Sequence, residues 1–176
     1  NILSGFALLK KLGGDRLKES IERLEATVLD IIDLDFADSL SDTLGMKRVL
    51  CHGDLWTTNI IWKKRQESTE LAALIDFQIS HFGCPAVDVV RVLSACLSAK
   101  DRREHWKNLL ENFYCFLEEE VGDHEMPYTL EQLNHSYRLF FPLGAYMTLP
   151  MVVPVFQLAN DSDDLEHKRR VSTTII

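Results

Sequence analysis

Residues 47–62 read KRVLCHGDLWTTNIIW and residues 71–78 read LAALIDFQ, with the charged run KKRQESTE between them. Lys47 to Cys51, Asn59 to Trp62 and Leu71 to Ile75 are short apolar runs bounded by polar turns, the pattern of three short strands. They surround one polar loop, HGDLWTT. On either side the pattern turns helical. Between Asp15 and Asp33, Leu17, Ile21, Leu24, Val28 and Ile31 recur at steps of three and four, which predicts an amphipathic helix. Asp35 to Gly45 reads as a polar connector or a short frayed helix. Pro85 suits a first helical turn, Val87 to Ala99 carries an apolar stripe, and Arg102 to Val121 continues as a helix ending at Gly122. Thr129 with Gln132 forms a capping box for a last helix. The fold class expected is α+β and mostly helical, with a small β cluster at one polar centre.

With 176 residues, 46% hydrophobic and 26% charged, the chain is long enough for a single domain, 1–176, that buries a real core. Lys plus Arg number 19 and Asp plus Glu 27, a net charge of -8, so the basic stripe that nucleic-acid phosphates need is not expected. Four cysteines lie far apart with no C-x-x-C pair, a usage that suits reduced thiols and a cytoplasmic location. The chain starts at Asn1 and shows no signal-peptide pattern. Leu139 to Ala159 is free of charge for 21 residues, about a membrane's width, yet Pro142, Pro150 and Pro154 interrupt it. A buried, broken helical hairpin is expected there rather than a span.

The centre spells H-x-D-x-x-x-x-N from His52 through Asp54 to Asn59, then D-F at Asp76 and Phe77. Phosphoryl transfer asks little covalent chemistry of a protein: an acceptor hydroxyl must be placed in line with a phosphate whose charge is offset by a metal. One carboxylate and two oxygen ligands suffice. Asp54 would accept or orient the hydroxyl proton, Asn59 and Asp76 would hold Mg²⁺ on the phosphates of ATP, and His52 would tie the loop to neighbouring backbone. Asp76, at the end of an apolar strand, would stand rigidly beside the loop. Because Asp54 lies in a loop, Asp54→Ala is expected to leave the fold intact. A turn-rich Asp/Asn loop capping strands is the plainer alternative.

VLCHGDLWTTNIIW, ALIDFQISHFGCPAVDVVRVL and YTLEQLNHSYRLFFPLGAY resemble the CHK kinase-like (ecdysteroid-kinase-like) family. That family is related to choline/ethanolamine kinases and aminoglycoside phosphotransferases. The resemblance runs from about Asp35 to Asn160 and implies the C-terminal lobe of a protein-kinase-like fold. Its catalytic and metal loops would lie at 47–78 and a helical subdomain at 85–160. It implies a small-molecule kinase: Asp54 as base, Asn59 and Asp76 as magnesium ligands, and ATP with a small hydroxyl-bearing acceptor, sterol-like or choline-like, as substrates. Asp88, in P-x-x-D, would support the loop from a helix start; a charge favourable to the helix dipole is the alternative.

An N-terminal lobe with a phosphate-covering loop and a strand lysine has no counterpart here, so half the ATP site is expected to be missing. Gly13-Gly14 reads as a turn. The β cluster and first helix would then show an apolar seam. Cys51-His52 with His81-x-x-Cys84 lacks zinc-finger spacing. Trp56, Phe82, Trp106, Tyr137, Phe140 and Tyr146 are candidate pocket aromatics, Trp56 most of all because it lies inside the loop, although helix-spaced aromatics usually pack in cores. The competing functions are a non-catalytic binding or structural fragment and a metal-dependent hydrolase, which would need more ligands than this loop offers.

Overall fold

A computed structural model describes residues 2–161. Helix α1 (Ile2–Ile31) is followed by α2 (Leu34–Thr43), strand β1 (Val49–Cys51), a single 3-10 turn (Thr57–Asn59), β2 (Ile60–Lys64), β3 (Thr69–Leu74) and β4 (His81–Gly83). Helices α3 (Ala86–Ala95), α4 (Ala99–Val121) and α5 (Leu130–Asp161) complete it. The class is α+β and mostly helical, with the small sheets gathered around the polar loop as in the C-terminal lobe of a kinase-like fold.

Each sheet is an antiparallel pair. β2 and β3 form the expected hairpin around the charged run, with a bulge between Ile61 and Trp62. β1 pairs instead with β4, Cys51 opposite His81 and Val49 opposite Gly83. Three residues of mixed character, His81-Phe82-Gly83, carry no period-2 signal, so β4 exists through its partner and not through its own sequence.

The core forms where α3 and α5 cross, with α4 and α2 against them. Leu40, Val90, Leu110 and Leu133 are fully buried there, and Tyr137, Phe140 and Leu143 line the same seam. A second cluster joins α1 to α5 through Phe6, Ile21, Val28 and Tyr146. One face of α1 therefore packs inward, while Leu29 on the same helix is exposed. The β cluster shows the expected apolar seam, with Leu50, Trp62, Leu71, Phe77, Ile79 and Phe82 at least half exposed.

Caps set the helix ends. Asp33 Oδ1 accepts the Phe36 amide at 2.8 Å and starts α2, which is a proper helix and not a connector. Thr129 and Gln132 exchange the two bonds of a capping box, at 2.8 and 3.2 Å, and Gln132 Nε2 also donates to the Leu44 carbonyl. Two expectations fail. Gly13-Gly14 lies inside α1 and makes no turn. The segment after Leu139 is no broken hairpin, because α5 continues through Pro142, Pro150 and Pro154 as one helix of 32 residues. An interior proline costs a helix about 3 kcal/mol, and around Pro142 packing outweighs that: Phe140 and Leu143 lie in the α3 seam, Tyr146 and Leu149 against α1. Among the described residues no helix is long and apolar enough to cross a membrane.

Candidate active site

β1 ends at Cys51 and releases His52, Gly53 and Asp54 into the polar loop. Gly53 turns the chain with φ 83°, a left-handed backbone that glycine adopts without penalty. A Cβ there would stand 2.6 Å from the Ile79 carbonyl oxygen, which is backbone and cannot swing away. Gly53→Ala is therefore expected to destabilise the protein by about 3 kcal/mol, strain plus clash, read as a fall of roughly 6–12 °C in melting temperature. An unchanged melting curve would contradict this account of the turn.

His52 is buried and uses both ring nitrogens within the chain. Nε2 lies 2.8 Å from the Ile75 carbonyl; a carbonyl only accepts, so Nε2 carries the proton and Nδ1 is left to accept the Asp54 amide at 3.3 Å. Its ring packs on Phe77, 4.4 Å between centroids. His52 thus braces the loop against the segment that carries Asp76.

Asn59 is buried at the end of the 3-10 turn. Its Nδ2 donates to the Asp54 carbonyl at 2.8 Å and to Asp54 Oδ2 at 3.2 Å, which leaves its Oδ1 as an acceptor beside the Thr58 hydroxyl. The Asn59 carbonyl accepts the Ile75 amide at 3.0 Å, so the segment leading to Asp76 is stitched to the loop. Asp76 itself does not end the strand: β3 stops at Leu74, and Asp76 follows exposed, with φ 67°. Aspartate tolerates that left-handed conformation better than most residues do. Hard oxygen donors from Asn59 and Asp76 on two segments stitched together fit Mg²⁺, which keeps several waters and takes few protein ligands.

Asp88, in the first turn of α3, reaches across to the loop. Its Oδ2 accepts the His52 amide at 2.6 Å and its Oδ1 the Gly53 amide at 2.8 Å. A charge placed only for the helix dipole would make no such pair of bonds. Trp56 is half-buried and offers its carbonyl to the Asn59 amide at 2.9 Å. It is not among the residues that line the cavity described below.

One participant carries no motif letter. Arg91, one helical turn after Asp88 on α3, places Nη1 3.0 Å from Asp54 Oδ1, and it is nearly buried, 9% exposed. The spacing from Asp88 is the signal that would have found it, since residues three apart on a helix share a face. Cys51, by contrast, is a packing residue: burial pushes its thiol up to about 12, and its Sγ donates to the Cys84 carbonyl.

Beside the loop lies a cavity of about 310 Å³, walled by Gly53, Arg91, Ile79, Phe140, Leu143 and Met147, with Asp38 and His81 also lining it. Most of this wall is apolar. Phe140 and the face around Gly144 supply the floor, where a Cβ on Gly144 would meet Val90 at 2.5 Å.

Compared with known proteins, residues 6–176 match the family model DUF1679, described as "Uncharacterized oxidoreductase dhs-27". The chain is similar to a Caenorhabditis elegans protein named "Uncharacterized kinase-like protein D1044.1", 29% identical over 140 residues that make up 75% of this chain and 36% of that protein. It is also similar to the C. elegans protein "Uncharacterized oxidoreductase dhs-27", 30% identical over 129 residues, 69% of this chain and 16% of that protein. The chain thus spans much less than two thirds of either relative. No solved structure gives a match.

Proposed function

The chain belongs to the DUF1679 family, and from that premise and the geometry of its His-Gly-Asp loop we propose that it serves an ATP- and Mg²⁺-dependent small-molecule kinase of the CHK kinase-like kind. The observation that carries this reading is the hold on Asp54. One carboxylate oxygen faces Arg91 and the other Asn59, while the loop amides before it are bonded to Asp88. A carboxylate so fixed, and with a quarter of its side chain exposed, can orient an acceptor hydroxyl and take its proton.

Asn59 and Asp76 would hold the magnesium, which when bound offsets the charge of the phosphates. The chain's own residues do the positioning: Asp54 receives the hydroxyl proton, His52 and Asp88 keep the loop from shifting, and the apolar cavity shields the acceptor's body from water. Walls such as Phe140, Leu143 and Met147 favour a hydroxyl carried on an apolar, sterol-like body. The kinase-like name of one relative supports the reading. The oxidoreductase name, carried by the other relative and by the family model, is that of a protein of which this chain matches 16%, and the loop here offers carboxylates rather than the glycine-rich turn that a dinucleotide needs.

The exposed β cluster favours a second reading, in which this stretch alone binds acceptor or partner without catalysis. Transfer of labelled γ-phosphate from Mg-ATP to a panel of small alcohols by the full-length protein separates the two. Transfer supports the kinase; no transfer with retained acceptor binding supports the binding module. Asn59→Ala is expected to raise the magnesium concentration needed for half-maximal rate by about tenfold or more, and a titration identical to wild type would contradict the ligand role.

A further inference from the structure

Helix α3 grips the loop twice from one face. Asp88 bonds the backbone amides of His52 and Gly53, and one turn later Arg91 bonds the side chain of the next residue, Asp54. Three consecutive loop residues are therefore referenced to one rigid element, itself packed along α5 with Val90 fully buried. Arg91 also lines the apolar cavity, so it is the side chain shared between that space and Asp54.

Resting on the kinase reading, we infer that Arg91 is a positioning residue: acting through Asp54, it fixes the direction of the carboxylate toward an acceptor in the neighbouring cavity. Asn59 holds Oδ2 from the loop's own far end, but that residue moves with the loop. Arg91 holds Oδ1 from outside the loop. Without it, the contact shown for the carboxylate comes from Asn59 of the same loop, and a carboxylate freer to turn about its side-chain bonds spends less time in the reactive orientation.

The test is a double-substitution cycle in the full-length protein, with kcat and the KM values for ATP and acceptor measured for wild type, Arg91→Met, Arg91→Lys, Asp54→Asn and the Asp54→Asn/Arg91→Met pair. Arg91→Met should lower kcat by about 10- to 100-fold while the KM for ATP stays within about twofold. Arg91→Lys, which keeps the charge but not the planar fork, should recover part of that loss. The pair should be no slower than Asp54→Asn alone, because asparagine, although it keeps an oxygen for Arg91, has already lost the proton-accepting carboxylate whose direction Arg91 sets. A merely structural arginine would slow both backgrounds by the same factor, and that result overturns the inference. So does wild-type kcat in Arg91→Met. If that variant proves poorly folded, Arg91→Lys compared in the two Asp54 backgrounds separates the same two outcomes. A wild type that transfers no phosphate to any acceptor overturns the kinase reading, and the inference falls with it.

Discussion

Asp54→Asn is expected to lower phosphotransfer by roughly 10²–10⁴-fold, the usual weight of a positioned proton acceptor, with the melting temperature close to that of wild type. Asparagine keeps the shape of the side chain and an oxygen for the Arg91 guanidinium, while giving up the charge and basicity that a hydroxyl proton needs. The measurement is γ-phosphate transfer under saturating Mg-ATP beside a thermal melt. Turnover retained within a factor of about three would remove Asp54 from the mechanism. Alanine is the less clean substitution. A loop position suggests tolerance, but Asp54 Oδ1 is 3.0 Å from a nearly buried arginine. Truncation to alanine deprives that guanidinium of one partner, at a cost of about 1–3 kcal/mol. Asp54→Ala should therefore melt lower than Asp54→Asn, and equal melting of the two would mean that the ion pair contributes nothing to stability.

Asp88→Ala should have the largest combined effect. Its two oxygens accept consecutive amides 35 and 36 residues away in sequence, so the substitution leaves two loop donors without acceptors and removes the tie between α3 and the loop. Hydrogen bonds to a charged acceptor contribute about 1.5–3 kcal/mol each, and a loss near 3 kcal/mol in total is expected after partial rescue by water. Turnover should fall by about a hundredfold as well, the penalty for displacing a reacting group by an ångström. Asp88→Asn, which keeps one acceptor oxygen, should lie between. Were Asp88 only a favourable charge at a helix start, its removal would cost no more than about 0.3–1 kcal/mol and leave turnover unchanged.

Much of the site is legible because its residues are consecutive. His52, Gly53, Asp54 and Asn59 lie within one loop, and loop chemistry is written in local sequence: a glycine where φ is positive, a histidine and an asparagine whose side chains reach only a few residues. The hairpin β2–β3 and the caps at Thr129 and Gln132 are local in the same sense. The bond from His52 to the Ile75 carbonyl spans 23 residues, yet a strand-turn-strand reading already brings those segments side by side.

The polar loop, its flanking hairpin and the helical character of the remainder follow from the order of residues alone, because each depends on periodicity or on bonds between near neighbours. The other features come from packing between distant segments. Pairing with β1 makes His81–Gly83 a strand although its own residues carry no strand pattern. Contact with α3 and α1 carries α5 through Pro142, which local propensity would use to break it. Docking of α3 turns Asp88 from a helix-start charge into the anchor of two amides, and brings Arg91 onto Asp54. Each of these rests on free energy gained between segments distant in sequence, which no window along the chain contains.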